Sequence, residues 1–510
     1  MSDTTNRWWR EAVIYQIYPR SFADANGDGV GDLRGIVERL DYLDDLGVDA
    51  LWLSPIFVSP MADFGYDVAD HTAVDPVFGT DADLDDLISG LHERGMRLLL
   101  DWVPNHTSDR HPWFIESRSS TDNAKRDWYV WRDPAPDGGP PNNWIAAFKG
   151  VPAWTYEDTT GQYYLHSFLA EQPDLNWANP EVEAAMHDVL RHWLDRGVDG
   201  FRADVVHLIG KGTTLADLPD ELANMIVVAI DEPFTHELLR RIRTLLDGYP
   251  QHPMMVGEVY LLRAGQAATY LGDDDELHLA FDFRPVHCRW TGDSFRSVID
   301  ATQVEFAEPR WPTWVLSNHD RQRHRSRFGS DAAARAAAVL SLTMRGPPFL
   351  YAGEELGLED AVIPPERVVD PDGRDGTRAP IPWTSADDHG WGPEPWLPFP
   401  PDAADKAVES QVGDPESFHS LYRRLLALRR SSTALQTGRF EWVEADSTSV
   451  LAYRRVEGND ELVVAVNIGD TPATLAITGT VVAASSTDRP TGAFDGRLGG
   501  NEAVVLAPGS

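Results

Sequence analysis

The sequence predicts an α/β fold: a (β/α)8 TIM barrel with an inserted subdomain after strand 3 and a C-terminal antiparallel β-sandwich domain. Eight short apolar runs recur, each followed by a polar turn and a helix-period segment, which is typical of parallel βαβ units. A long irregular stretch interrupts this alternation once, and a strand-only pattern replaces it near the C-terminus. The 510 residues accommodate a large barrel with insertions and one small extra domain.

The eight apolar runs are the predicted barrel strands. They span residues 13–19, 50–56, 97–103, 200–205, 254–259, 277–283, 313–318 and 349–352. The segment 107–177, rich in Trp, Pro, Gly and Asn, far exceeds the roughly 2–6 residues usual for a βα loop. We therefore assign it to an inserted subdomain and assign 1–106 and 178–431 to the barrel.

The C-terminal part of the chain changes its pattern. Phe418, Leu421, Tyr422, Leu425 and Leu428 share one helical face, as the last barrel helix requires. From 432 to 510 the chain alternates apolar and polar residues between turns, which predicts a β-sandwich.

Charge and composition exclude several classes of partner. The 81 acidic and 44 basic residues give a formal charge of -37, which repels nucleic acid and anionic membranes. The acidic excess marks either a salt-loving host or a solvated surface. Cys288 is the single cysteine, so an intrachain disulfide and a thiolate cluster are excluded. The start lacks the apolar core of a secretory signal, and we expect a cytoplasmic location.

A loop after the first run has oxygen side chains at every second position, with glycines between them. Its spacing predicts hard-cation ligands, as in an EF-hand loop, for a structural Ca²⁺ or Mg²⁺. The predicted ligands are Asp24, Asn26, Asp28, the backbone carbonyl near Val30, and Asp32. The alternative is an acidic, solvated turn.

Ionisable residues follow four of the predicted strands. Asp101 and His106 follow the third, Asp204 the fourth, Glu258 the fifth and Asp320 the seventh. A single acid at a strand end is more often a salt-bridge partner. Four strands whose carboxyl ends meet at one face of a barrel instead predict an active site.

These four blocks, in this order, resemble the conserved regions of glycoside hydrolase family 13, the α-amylase family. Further matching blocks are Gly-Tyr-Asp at 65–67, Gln-Pro-Asp-Leu-Asn at 172–176, the run 348–357 and Gly-Arg-Asp-Gly-Thr-Arg at 373–378. The resemblance covers nearly the whole chain. The second and last of these blocks resemble the α-glucosidase and oligo-1,6-glucosidase branch, which implies exo-cleavage of short substrates.

The resemblance implies a retaining mechanism with three carboxylates. Asp204 is expected to be the nucleophile, Glu258 the acid and base, and Asp320 the transition-state stabiliser. Arg202, on the same strand face as Asp204, is expected to hold the nucleophile ionised. Like charges or apolar walls are expected to keep Glu258 protonated.

The same resemblance implies a set of substrate-binding residues. They are Tyr66, Asp67, His106, Phe168, Gln172, Arg202, His319 and Arg378. The two histidines are expected to hydrogen-bond the nonreducing glucose, and Asp67 and Arg378 to end the pocket. Tyr66 and Phe168 are expected to stack on sugar faces, with a core role as the alternative for Phe168.

Two features leave the substrate open. Val205 matches family members that prefer α-1,6 bonds, whereas the following Val206-His207 resembles α-glucosidases of broader linkage range; His207 either faces substrate or fills the barrel top. The basic run 321–327 either recognises an anionic aglycone or, more commonly, pairs with neighbouring acids.

The resulting hypothesis is an α-glucosidase that hydrolyses terminal α-linked glucose from maltose-type or isomaltose-type substrates, as a monomer or homodimer without an organic cofactor. The alternatives are a transglucosylase on the same scaffold and a hydrolase of sucrose or a phosphorylated disaccharide. A noncatalytic partner protein is disfavoured because all three carboxylates are present.

Overall fold

The computed structural model describes residues 7–148, 150–212, 214–219, 230–261, 265–392 and 394–509. Its centre is a parallel sheet of eight strands. The strands, first to eighth, are Ile14–Ile17, Ala50–Leu53, Arg97–Trp102, Gly200–Ala203, Met254–Gly257, Leu279–Ala280, Trp314–Val315 and Pro348–Tyr351. Each lies within one predicted apolar run, extending at most one residue beyond it.

The order of the strands closes the sheet into a barrel. Each strand pairs with its neighbour along the chain from the first to the sixth, and the eighth pairs with both the first and the seventh. Between the sixth and seventh, the Thr313 hydroxyl donates to the Ala280 carbonyl and accepts from the Asp282 N–H, both at 3.1 Å. The predicted (β/α)8 barrel is therefore confirmed.

Along each barrel strand, side chains point alternately into the barrel interior and towards the surrounding helices. Ile14, Leu99 and Val256 belong to the apolar cluster inside the barrel, whereas Tyr15 and Leu100 pack in the large cluster beneath the helices. Successive side chains of a strand point to opposite faces. Every second residue of a barrel strand therefore faces the interior.

The helices cover the outside of the barrel. In Asp81–Glu93, a capping box between Thr80 and Asp83 begins the helix, and Leu84, Leu87, Ile88 and Leu91 form its buried face. The other barrel helices are Leu33–Val37, Leu40–Leu46, Pro180–Arg196, Pro233–Asp247, Gln266–Thr269, Arg284–His287, Gly292–Glu305, His324–Phe328, Asp331–Thr343, Ala403–Lys406, Val408–Gln411 and Phe418–Ser431. The short helix Thr433–Gln436 follows and packs against the C-terminal sheet. Within the described ranges, no helix is both long and apolar enough to cross a membrane.

Two further units carry antiparallel sheets. The insertion contains the helix Pro112–Ser119 and a sheet of Trp131–Arg132, Gln162–Leu165 and Trp154–Glu157, in that order. The C-terminal unit contains a sheet of Arg439–Trp442, Val450–Glu457, Asp460–Asn467, Ala503–Ala507, Thr480–Ala484 and Gly492–Ala493, and a pair of Ala473–Thr474 with Arg497–Leu498. The predicted C-terminal antiparallel domain is confirmed.

Candidate active site

The main-chain hydrogen bonds of the barrel strands position Asp204 and Glu258. Asp101, Asp204 and Glu258 stand at interior-facing positions, two residues after Leu99, Arg202 and Val256 respectively. The Asp204 N–H donates to the Trp102 carbonyl and the Glu258 N–H to the Ala203 carbonyl, each at 2.8 Å. Main-chain hydrogen bonds that continue the sheet therefore fix where both carboxylates enter the barrel mouth.

Arg202 joins three of the acids. Its Nη1 donates to Asp101 Oδ1 and to Asp204 Oδ1, each at 2.7 Å, and its Nη2 contacts the Glu258 carboxylate. The Arg202 side chain is only 2% exposed. The guanidinium thus lies beneath the carboxylates as their shared counter-charge.

The electrostatics of this cluster correct one expectation. Burial, with the nearby carboxylates of Glu258 and Asp101, raises the pKa of Asp204 well above its ordinary value, although Arg202 opposes the rise. Burial also raises the pKa of Asp101 to about 6, again against Arg202. One guanidinium is shared among three acids and therefore offsets only part of this rise. The Glu258 carboxylate contacts the same cation, and the like charges expected near it, Asp204 and Asp101, are also present.

Asp320 has the opposite environment. Its carboxylate lies 3.0 Å from Arg374 Nη1, 3.2 Å from His319 Nε2 and 3.3 Å from Arg378 Nη2. Burial would raise the pKa of Asp320, but these neighbours hold it below its ordinary range. Asp320 is therefore ionised at neutral pH.

The structure corrects the prediction for Asp67. Its Oδ1 accepts from the Ser59 hydroxyl and the Asp63 N–H, and its Oδ2 accepts from the Ala62 N–H, all at 2.9 Å. These bonds use Asp67 to close its own turn, and the residue is fully buried. Asp63, four residues earlier, instead lines the cavity. Its position two residues before the Gly-Tyr-Asp block was the signal available for it.

The structure makes a matching correction for Arg378. Its Nε donates to the His319 carbonyl at 3.0 Å and its Nη1 to Asp370 at 2.9 Å, behind the cavity wall. Arg374, at the start of the same block, lines the cavity and pairs with Asp63 at 2.6 Å. Arg374 and Asp63 thus occupy the place predicted for Arg378 and Asp67.

Four of the predicted substrate-binding side chains gather on one side of the cavity. The Tyr66 and His319 rings stack with centroids 5.6 Å apart, and Tyr66 donates to Asp101 at 3.1 Å. His106 Nε2 lies 3.1 Å from Gln172 Nε2, which in turn donates to Asp63 at 3.1 Å. Burial lowers the pKa of His106 to about 4, so its ring is neutral at pH 7.

These groups surround a cavity of about 290 Å³. All three predicted catalytic carboxylates line it, together with Tyr66, His106, Phe168, Gln172 and His319. Lining residues outside the predicted set are Asp63, Ala147, Phe148, Val205, Tyr260, Phe283, Asn318, Arg321, Asp372 and Arg374. The volume is close to the lower end of the roughly 300–1,000 Å³ range of small-molecule sites, which suits a short ligand.

The residues after Asp204 form a tight turn. Val205 has a φ of 35°, which is strained for a β-branched residue, and its N–H donates to Glu258 Oε2 at 3.3 Å. Val205 lines the cavity. His207 is fully buried, with Nδ1 3.4 Å from the Glu258 carbonyl, which favours the packing alternative for this side chain.

The predicted cation loop is organised by its own side chains. Asp24 Oδ1 accepts from the Gly27 N–H at 2.6 Å, Asn26 Oδ1 from Asp28 at 2.9 Å, and Asp28 Oδ1 from Val30 at 2.9 Å. Asp32 caps the following helix at Gly35. In the part of the chain that is described, three or more His, Cys, Asp or Glu side chains do not converge on a metal position. Ionised carboxylates offer about four lone-pair sites each, so these oxygens retain capacity for a hard cation.

The four arginines of the basic run 321–327 have different partners. Arg323 donates to the Ala352 carbonyl at 2.8 Å, Arg325 pairs with Asp331 at 2.5 Å, and Arg327 donates to the Cys288 carbonyl at 2.9 Å. Arg321 lines the cavity. The common alternative, pairing with neighbouring acids, therefore describes Arg325, whereas Arg323 and Arg327 bond main-chain carbonyls.

Comparison with protein families matches two models to this chain. Residues 16–438 match the alpha amylase catalytic domain, and residues 438–506 match a domain of unknown function, DUF3459. A probable alpha-glucosidase of Rhizobium meliloti (strain 1021) is 44% identical over 92% of this chain and 90% of its own length. The oligo-1,6-glucosidase of Parageobacillus thermoglucosidasius is 37% identical over 91% of each chain.

Two solved structures extend the comparison. The alpha-glucosyl transfer enzyme XgtA superimposes with a TM-score of 0.90 at 40% identity, over 98% of this chain and 99% of that one. The trehalulose synthase MutB of Pseudomonas mesoacidophila MX-45 superimposes with a TM-score of 0.93 at 35% identity, over the same shares. An alpha-glucosyl transfer enzyme and a trehalulose synthase thus share this chain's architecture.

Proposed function

The chain belongs to the α-amylase family of glycoside hydrolases, and from that membership we propose that it is a retaining, exo-acting α-glucosidase. It would release terminal α-linked glucose from short oligosaccharides. The observation that carries the proposal is one small cavity lined by Asp204, Glu258 and Asp320, with the Asp63–Arg374 ion pair in the same wall. The names of the relatives, an alpha-glucosidase and an oligo-1,6-glucosidase, support the same activity.

The proposed reaction proceeds in two displacements. An Asp204 carboxylate oxygen attacks the anomeric carbon while the glycosidic oxygen leaves with the Glu258 proton, which gives a β-glucosyl ester and a free aglycone. A water oxygen then attacks the same carbon, Glu258 takes a water proton, and Asp204 leaves as a carboxylate. Two inversions return α-glucose.

The two displacements set the protonation states that the site has to provide. Asp204 and Glu258 share one cation, and burial together with the neighbouring carboxylates of Glu258 and Asp101 raises the pKa of Asp204, although Arg202 opposes the rise. For the first displacement, Asp204 has to be ionised and a proton has to reside on Glu258 when substrate binds. Asp320, held ionised by His319, Arg374 and Arg378, supplies an acceptor for sugar hydroxyls and negative charge near the oxocarbenium-like transition state.

The test is a substrate panel with maltose, isomaltose, sucrose, kojibiose, nigerose and trehalose, measured by glucose release. Glu258→Gln is expected to lose at least about a thousandfold in kcat/KM on the best disaccharide, since it has no proton to donate. The surface variant Glu237→Gln, which is exposed, is the matched control. NMR of the first product distinguishes retention from inversion. Full activity of Glu258→Gln, or initial β-glucose, would contradict the proposal.

Glucosyl transfer is the second candidate function. It is favoured by the architecture shared with XgtA and MutB, whose names describe glucosyl transfer and trehalulose synthesis. The same residues serve both outcomes, because a sugar hydroxyl can replace water in the second displacement. Product analysis at high sugar concentration separates the two, and oligosaccharides exceeding free glucose would identify transfer as the main activity.

Three further properties are also proposals. The loop of Asp24, Asn26, Asp28, Val30 and Asp32 is proposed to bind a structural Ca²⁺ or Mg²⁺, supported by its all-oxygen donors. A cytoplasmic location is proposed from the sequence. A monomer or a homodimer is proposed as the assembly state, to be measured by light scattering.

A further inference from the structure

The open side of the cavity carries one exposed cation and one exposed anion. Arg321 and Asp372 both line the cavity wall, and both residues are exposed. Arg321 directly follows Asp320, and Asp372 precedes Arg374 by two residues. Since Asp320 and Arg374 form an ion pair at 3.0 Å, the two chain segments are held side by side. Arg321 and Asp372 therefore border the same part of the cavity.

Contacts with Tyr260 position the Arg321 guanidinium and leave several of its N–H donors available for a ligand. Its guanidinium lies 5.5 Å from the centre of the Tyr260 ring and donates to the Tyr260 hydroxyl. That hydroxyl is also 3.2 Å from His287 Nε2, which steadies the tyrosine. A guanidinium has five N–H donors, so several remain for a ligand. Arg323, Arg325 and Arg327 direct donors to protein acceptors instead.

The charge of the cavity disfavours an anionic aglycone. Five acids line it, Asp63, Asp204, Glu258, Asp320 and Asp372, against the two cations Arg321 and Arg374. Arg374 is already bonded to Asp63, Asp320 and Asp370. Behind the wall, Arg202 and Arg378 are matched by Asp101 and Asp370, so the formal charge of the whole cluster stays negative. Coulomb repulsion therefore opposes a phosphate or carboxylate group at this place.

We propose that Arg321 and Asp372 bind the hydroxyl groups of a neutral sugar aglycone, Arg321 as donor and Asp372 as acceptor, and thereby select sugar aglycones over aromatic ones. The inference rests on the proposed function and names the aglycone class for it. A site built to hydrogen-bond hydroxyl groups discriminates against ligands that lack them, because its polar groups are then left unpaired.

The experiment compares two substrates in wild type and four variants. The kcat/KM for the better of maltose and isomaltose is divided by that for 4-nitrophenyl α-glucoside, whose aglycone has no hydroxyl donor. Arg321→Ala and Asp372→Asn are each expected to lower this ratio about tenfold or more. Arg321→Lys, which keeps donors and charge, is expected to retain at least about a third of it. Arg325→Ala, which breaks only the contacts with Asp331 and Glu359, is the control and keeps the ratio.

Two outcomes would overturn the inference alone. One is an unchanged ratio in Arg321→Ala, which includes an equal loss on both substrates and would mark a purely structural role. The other is faster turnover by wild type of the disaccharide phosphorylated on its aglycone glucose than of the neutral disaccharide. Failure of wild type to release glucose from either substrate would overturn the proposed function itself. Measuring the aryl glucoside beside the disaccharide thus distinguishes a failure of this inference from a failure of the proposed function.

Discussion

Asp63 and Asp67 offer a sharp test of the site, since they are four residues apart and the structure gives them different tasks. Asp63 faces the cavity and accepts from Arg374 at 2.6 Å and Gln172 at 3.1 Å. Asp67 accepts three hydrogen bonds from its own turn and does not line the cavity. Asp63→Asn should therefore impair substrate binding and catalysis, whereas Asp67→Asn should impair folding stability.

The magnitudes follow from the bonds lost. A hydrogen bond to a charged group contributes about 1.5–3 kcal/mol. Two sugar hydroxyls bound by the Asp63 carboxylate would then account for about 3 kcal/mol or more, roughly a hundredfold or greater loss of kcat/KM. Arg374 keeps Asp320 and Asp370 as partners, so the fold should tolerate Asp63→Asn. In Asp67→Asn the amide cannot accept all three donors, which costs about 1–3 kcal/mol of unfolding free energy.

Glucose release from the best disaccharide and thermal unfolding of both variants measure the two effects. Asp63→Asn should melt near wild type with kcat/KM reduced at least about a hundredfold. Asp67→Asn should melt at lower temperature with kcat/KM within about tenfold of wild type. The opposite pattern, an inactive Asp67→Asn beside a fully active Asp63→Asn, would refute the assignment of the cavity wall.

Three other perturbations should have measurable outcomes. Burial lowers the pKa of His71, His106 and His419 to about 4. Between these pKa values and the ordinary histidine pKa of about 6.5, the unfolded state binds protons that the folded state does not bind. The free energy of unfolding should therefore fall as the pH falls from about 6.5 to 4, by up to about 3 kcal/mol per histidine. Urea unfolding at pH 7.5 and 5 checks this, and equal stability at both would contradict it. Chelation of divalent cations should lower the melting temperature, whereas an unchanged curve for verified metal-free protein would exclude the loop site. Arg455→Met should lower the free energy of unfolding, measured in urea, by several kcal/mol. The reason is that the buried Arg455 guanidinium donates to the carbonyls of Thr343 and Gly438 at the junction of the barrel and the C-terminal domain. An unfolding midpoint equal to that of wild type would show that this junction contributes little.

The barrel was predictable because its evidence is local. Each strand is a short apolar run followed by a turn and a helix. This pattern can be recognised in the sequence without knowing which strands pair with each other. The same holds for the acids at the strand ends, since a residue's position along a strand also sets the face to which it points. Asp204, Glu258 and Asp320 were therefore predictable as a group, and they line one cavity.

Acidic or basic residues a few positions apart, within or beside one sequence block, could not be distinguished in this way. Asp67 is withdrawn from the cavity by Ser59 and its own turn, and Arg378 by Asp370, contacts that sequence spacing does not encode. Asp63 and Arg374 take their places.

The sequence by itself determined the barrel, its family and the acids at the strand ends, because periodicity and residue type at strand ends are properties of the chain. The tertiary structure alone decided which aspartate and arginine line the cavity, and how charge is shared. Burial and the neighbouring carboxylates of Glu258 and Asp101 raise the pKa of Asp204 despite a cation at 2.7 Å. Burial and the sum of surrounding charges exist only once distant strands have come together.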